Sequence, residues 1–297
     1  MGTLIQSQYP NLEQQGIWMT KALVDIPEFI QDLHLQYINS GADIITTYTY
    51  RTNPYALGLN KDSNIDEHTS EELVNIAVSL CKKAIKKASL ESLPVLIAGS
   101  NATMSKSYFT SMGGVKDEEI RANHETHIEN LIKAGVDFIL NETFSHLKEI
   151  IIVCEICQSK KIPFVISIYC DENLKLLSQE PLIEAIEVIK KFNAMAISFN
   201  CISYSTMKRI TEEIDLTKLI WGCYINCGNE KTYEAFKNTK EKVESMLLKD
   251  SLSPKELQNF TEELMNKKLR PGFIGSCCCS NPNHTQNLFE LISKNNI

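Results

Sequence analysis

Gly135-Val-Asp-Phe-Ile-Leu-Asn-Glu-Thr143 follows a helical pattern over 115–134, and its reading decides the fold. A glycine at the end of a helix supplies the left-handed cap that a helix-to-strand turn prefers. The run after it is too apolar for a sheet with one wet face, which predicts a parallel strand buried on both sides. The same punctuation recurs at Gly41-Ala-Asp-Ile-Ile-Thr-Thr-Tyr-Thr-Tyr50, after a helical pattern over 27–40. Working outward, further strands are expected at 94–100, 163–169, 194–200, 219–226 and 272–276. Helical patterns lie at 67–89, 146–160, 180–192, 205–214, 253–268 and 283–293. This alternation predicts an α/β fold, a (β/α)8 TIM-type barrel. Only seven strands are counted and 1–25 holds no candidate, so the barrel is expected to lack its first strand.

The 297 residues, 43% hydrophobic and 23% charged, suit one barrel domain over 1–297. No long Pro/Gly/Ser linker divides them; extended loops are expected around 101–114 and 227–252, the latter holding a Lys/Glu-rich solvated stretch at 230–250. A net charge of -7 leaves no general cationic surface for a phosphate backbone, so nucleic acid is not an expected partner. No run of 18 apolar residues suggests a membrane span, and the polar start lacks the basic and apolar segments of an export signal, so a cytoplasmic location is expected. Ten cysteines in so long a chain, several on apolar runs, read as reduced thiols or metal ligands rather than a disulfide framework.

In such barrels chemistry sits where strands end. The sixth full-barrel strand ends Ser198-Phe-Asn-Cys201 and the last ends Ile274-Gly-Ser-Cys-Cys-Cys279, which places several thiols at one mouth. Thiolates are soft ligands suited to Zn2+, and three of them leave a fourth tetrahedral position open, as catalysis requires. A packed or redox-active cysteine pair is the competing reading, and spacing alone does not decide between them. Cys154 and Cys157 read as one buried helix face. His124, His127 and His146 read as exposed or capping.

Phe199-Asn-Cys201, Gly275-Ser-Cys-Cys278 and Pro282 together resemble the zinc signature of the homocysteine S-methyltransferase family. The resemblance extends through 18–30, Gly41-Ala-Asp-Ile-Ile-Thr-Thr47, Asn141-Glu-Thr143 and Tyr224-Ile-Asn-Cys-Gly228. It implies Zn2+ on Cys201, Cys277 and Cys278, with Cys279, Cys223 and Cys227 outside the ligand set. It further implies methyl transfer from a sulfonium donor, S-methylmethionine before S-adenosylmethionine, to homocysteine, giving methionine. By the same resemblance Glu142 binds the substrate amino group, an acid serving a helix dipole being the other reading. Thr47, Thr49 and Tyr50 line the pocket, and Asn226 orders the last loops near the metal.

This chain departs from the family at several points. Tyr48 stands for the usual Asn, Ile225 for Pro, Ser198 for Gly, and Ser100-Asn-Ala-Thr103 where members carry Gly-Pro. The family's first strand, ending Asp-Gly-Gly or Asp-Gly-Ala, precedes a segment like Met1-Gly-Thr-Leu4. Its absence keeps open a catalytically impaired homologue that binds zinc or homocysteine without turnover, and the contiguous cysteines separately keep open a thiol redox protein using Cys277 to Cys279.

Overall fold

The computed structural model describes residues 1–12, 20–58, 65, 67–88, 94–104, 114–228, 251–267 and 269–294. Two short helices, α1 (Gly2–Gln8) and α2 (Ala22–Asp25), precede the repeating part. From α3 (Pro27–Asn39) onward the chain alternates: β1 (Ile44–Thr46), α4 (Pro54–Gly58), α5 (Ser70–Lys87), β2 (Leu96–Ala102), α6 (Asp117–Ala134) and β3 (Phe138–Phe144). It continues with α7 (Leu147–Ser159), β4 (Phe164–Ile168), α8 (Leu182–Ile189), β5 (Ala196–Asn200), α9 (Tyr204–Glu213), β6 (Trp221–Ile225), α10 (Pro254–Asn266), β7 (Phe273–Ser276) and α11 (Pro282–Lys294).

All seven strands are parallel and lie in chain order, β1 to β7. Among the described residues nothing pairs with the outer sides of β1 and β7, so the sheet is an open barrel. The expected architecture, seven strands of a (β/α)8 barrel, is what the chain forms, and residues 1–12 and 20–25 carry helices rather than a strand. The solvated stretch expected at 230–250 and most of the 101–114 loop lie outside the described residues.

Local chemistry fixes the elements. Gly135 caps α6 at φ 83° and Gly41 follows α3 at φ 93°, both in the region that favours glycine. Thr69 and Glu72 cap α5 reciprocally, with Glu72 N donating to Thr69 Oγ1 (3.2 Å) and Thr69 N donating to Glu72 Oε2 (2.8 Å). Below that cap Leu73, Val74, Ala77, Val78, Cys81 and Ala84 form one buried stripe. Strands β3, β4 and β5 are buried at every position, as expected of strands covered on both faces.

The sheet's concave face is filled by Ala98, Phe138, Leu140, Val165 and Ala196, with Tyr224 and Phe273 packed against them. Gly222 is the register partner of Phe273, and a Cβ there would lie 2.5–2.6 Å from three atoms of the Phe273 ring. Gly222→Ala is therefore expected to destabilise the fold by about 1–3 kcal/mol, read as a shifted urea midpoint. An unchanged midpoint would mean that the ring yields without cost.

Candidate metal and substrate site

The C-terminal ends of β5 and β7 bring three sulfurs together. Cys201, Cys277 and Cys278 offer ligand atoms that all lie within 4.8 Å of one another. Cys278 Sγ is 4.0 Å from both of the others, and Cys201 and Cys277 are in disulfide contact at 2.50 Å. The redox reading placed a pair among the vicinal residues 277–279; the structure instead joins two strands. Cys201 reaches the cluster from a left-handed backbone at φ 53° immediately after β5, and Cys279 (φ 61°), after β7, and Thr143 (φ 64°), near the end of β3, adopt the same conformation. Such conformations are uncommon for non-glycine residues, least comfortable for a β-branched one, and cluster at functional sites.

The donor set fits a zinc ion. Tetrahedral zinc with Zn–S near ~2.3 Å has S···S edges of roughly 3.8 Å, close to the two 4.0 Å separations. Burial pushes the Cys278 thiol up, and Cys279 and Cys227 up to about 12, so without a cation these sulfurs keep their protons or pair. A metal would take all three ligands as thiolates. Metal binding and a Cys201–Cys277 disulfide are thus mutually exclusive states of the same sulfurs.

Glu142 stands at the end of β3 on the concave face, where Ser100 Oγ donates to Oε1 and Tyr224 OH donates to Oε2 at 3.3 Å. Burial raises its pKa above the usual carboxylate range, with the two hydroxyl donors pulling the other way. Beside Glu142, the strained Thr143 is held by Asn200: Thr143 N donates to Asn200 Oδ1 (2.9 Å), and Asn200 Nδ2 donates to Thr143 Oγ1 (2.8 Å). Ser167 Oγ donates to the same Oδ1 at 2.8 Å. Asn200 immediately precedes Cys201, so a single residue ties the carboxylate strand to the sulfur strand.

Thr47 and Thr49 are buried, and their hydroxyls staple β1 to β2. Ser100 N donates to Thr47 Oγ1 (2.9 Å), the two threonine oxygens are 2.7 Å apart, and Thr49 Oγ1 donates to Ser100 O (2.7 Å). Tyr50 lies within electrostatic range of Tyr224, and the Arg51 guanidinium is 5.3 Å from the Tyr50 ring centroid. Asn226 Oδ1 accepts from Gly228 N at 2.8 Å, shaping the turn in which Cys227 N donates to Cys278 O. A Cβ at Gly228 would meet Asn226 Oδ1 at 3.1 Å and Cys279 Sγ at 3.3 Å, so that turn is packed against the sulfur loop.

Sequence reasoning gave no role to Ser100, Ser167 or Tyr224. Their signal is positional: each lies on the inward face of its strand at the height of the motif residues, as period-two alternation requires. The exposed reading of the histidines is corrected, while the capping reading holds for His146, the N-cap residue of α7. His124 and His127 are fully buried and His146 is 7% exposed, because α6 turns the first two against the sheet, into a polar network with Asn101 and Glu149. Cys154 and Cys157 are fully buried on α7, as expected. Among the described residues no helix is long and apolar enough to cross a membrane.

The chain is similar to several characterised proteins. It is 26% identical to homocysteine S-methyltransferase of Escherichia coli over 80% of this chain and 79% of that one. It is 24% identical to homocysteine S-methyltransferase 2 of Zea mays over 94% and 84%, and 23% identical to betaine–homocysteine S-methyltransferase 1 of Mus musculus over 94% and 67%. The crystal structure of the oxidized form of the Escherichia coli homocysteine methyltransferase MmuM shares the fold, with a TM-score of 0.73 at 21% identity, covering 97% of this chain and 92% of that chain. Its metallated form superposes with a TM-score of 0.67 at 22% identity, over 93% and 88%. The family profile described as homocysteine S-methyltransferase matches residues 1–292, and on that match the protein belongs to the homocysteine S-methyltransferase family.

Proposed function

We propose that this chain transfers a methyl group from a sulfonium donor to the sulfur of homocysteine, forming methionine, with zinc held by Cys201, Cys277 and Cys278. S-methylmethionine is the preferred donor and S-adenosylmethionine the second. The observation that carries the reading is the convergence of three cysteine sulfurs within 4.8 Å at one barrel mouth. Family membership supports the acceptor.

Zinc, when bound, supplies a positive centre that keeps the homocysteine sulfur as a thiolate at a pH where a free thiol, pKa about 8.5, is mostly protonated. The Glu142 carboxylate receives the substrate ammonium, a charge-assisted contact in a buried setting. Ser100 and Tyr224 hold that carboxylate in place. Thr47 and Thr49 fix the backbone on which Tyr50 borders the pocket, and Asn226 orders the turn behind the sulfurs. Transfer forms the bond from the homocysteine sulfur to the methyl carbon as the bond to the donor sulfur breaks. The electron pair returns to the donor, which leaves as a neutral thioether, and the thiol proton passes to solvent.

The test is a methionine-formation assay on reduced, zinc-loaded protein with homocysteine and each donor. Turnover is expected, with Glu142→Gln raising KM for homocysteine by about tenfold or more while zinc content holds. One zinc per chain and homocysteine binding without turnover would replace this reading with the non-catalytic binding protein. Absence of zinc binding would remove the mechanism.

A further inference from the structure

Behind Ser100 and Glu142, on the outer face of β2 and β3, buried polar side chains run between the sheet and its helices. Asn101 Nδ2 donates to Asn141 Oδ1 at 2.7 Å, so Asn101 Oδ1 is the acceptor facing Nδ1 of both His124 (3.2 Å) and His127 (3.0 Å). Each ring therefore carries a proton on Nδ1. His124 Nε2 lies 2.9 Å from Glu149 Oε1, so both of its nitrogens face acceptors, the arrangement of an imidazolium–carboxylate pair. Glu149 also accepts from Met104 N (2.7 Å) and Thr103 Oγ1 (2.6 Å). His127, kept neutral by burial, presents Nε2 to the Thr52 hydroxyl at 2.9 Å. Thr52, Asn101, His124, His127, Asn141 and Glu149 are all 0% exposed.

A buried ion pair is no better for stability than well-packed apolar residues of the same volume; its attested use is to specify one arrangement. Here the ends of the network identify what is specified. Asn101 and Asn141 adjoin Ser100 and Glu142 in the chain and point to the other face of the sheet. Thr52 belongs to the segment after β1, and Thr103 and Met104 to the segment after β2. We propose that the His124–Glu149 pair, bridged by Asn101 to Asn141, is a positioning unit: it sets Glu142 for an ammonium group and anchors the segments leaving β1 and β2 at the mouth. Naming homocysteine as the owner of that ammonium rests on the methyl-transfer reading; the positioning itself does not. His124, Glu149, Asn101 and His127 are positioning residues, none touching the sulfurs or Glu142.

Glu149→Gln and His124→Gln are compared with the double variant, in which two amides can hydrogen-bond without charge. Each single variant is expected to raise KM for homocysteine about tenfold with kcat within about threefold and zinc content unchanged, and the double variant to recover most of that loss. Backbone hydrogen exchange over 98–104 and 138–144 should quicken about tenfold in the single variants, with α10 and β7 unaffected. Should a single variant fail to fold, the double variant compared with His124→Leu/Glu149→Leu carries the same readouts, the apolar pair being the one expected to lose position. Unchanged KM with unchanged local exchange, or exchange that rises equally in every strand, overturns the proposal. If the wild-type protein binds no homocysteine, the methyl-transfer reading falls, and the exchange pattern alone still supports or overturns the positioning unit.

Discussion

Cys278→Ala is expected to lower bound zinc from about one per chain to near zero at micromolar metal, and to reduce methionine formation by roughly a thousandfold or more. The side chain is only half-buried, so its loss removes little packing. It stands 4.0 Å from both other sulfurs and completes the proposed three-sulfur ligand set. With it gone, Cys201 and Cys277 form an incomplete site that can still close on itself as a disulfide. Cys279→Ala is the control: that sulfur lies outside the cluster, so zinc and turnover should persist. Elemental analysis beside the assay checks both variants, and a Cys278→Ala protein that kept its zinc and its activity would sink the assignment. Reductant belongs in the loading buffer, because a Cys201–Cys277 disulfide would consume two of the three proposed ligands.

Acid should weaken this protein well before ordinary carboxylates titrate. His34, whose Nε2 is 3.4 Å from Cys81 Sγ, and His127 are buried, and burial lowers each to about 3. An unfolded histidine titrates near ~6.5. These groups stabilise the fold fully above that value, and the contribution is lost as pH falls from it toward about 3, since only the unfolded chain takes up the protons. Each contributes a slope that is half of about 1.4 kcal/mol per pH unit at pH 6.5 and approaches the full value below it, so two give about 3 kcal/mol between pH 6.5 and pH 5, against a typical total of ~5–15 kcal/mol. Glu142 acts oppositely: its raised pKa means the folded state takes up a proton first, which returns up to one such slope. The net expectation is therefore a loss of up to about 1.4 kcal/mol from pH 7 to 6 and of about 1–2.4 kcal/mol from pH 6 to 5, measured by urea unfolding at pH 7, 6 and 5. A flat profile over that range would show that one or both imidazoles are reached by water.

How far the sequence carried this picture differs between fold and site. Strands 135–143, 163–169 and 194–200 were legible because burial on both faces leaves an apolar run that needs no partner to be recognised. The first strand shrinks to Ile44–Thr46 because Thr47 turns its hydroxyl to Ser100 N, a contact between residues 53 apart that no local pattern encodes. The thiols were legible because they end strands and recur side by side. The setting of Glu142 was not, since Ser100 and Tyr224 reach it from 42 and 82 residues away. The misread histidines did leave a trace. Ile120, His124, His127, Ile128 and Leu131 recur at helical spacing and are buried together on α6, so a periodicity count admitting histidine as a core residue would have placed them inward. The partner that makes this tolerable, Glu149, lies on another helix and is visible only in three dimensions.

The sulfur cluster joins the end of β5 to the end of β7 and passes over β6, while among the described residues β7 pairs with a strand on one side only. An outermost strand of this kind is where a sheet peels when pulled or when it breathes. A fastener across its penultimate neighbour turns the peeling of one strand into the shearing of two. Whatever occupies the sulfurs, a metal ion or a covalent link, therefore sets the mechanical strength of that border, and the site that handles small molecules also serves as the hem of the barrel.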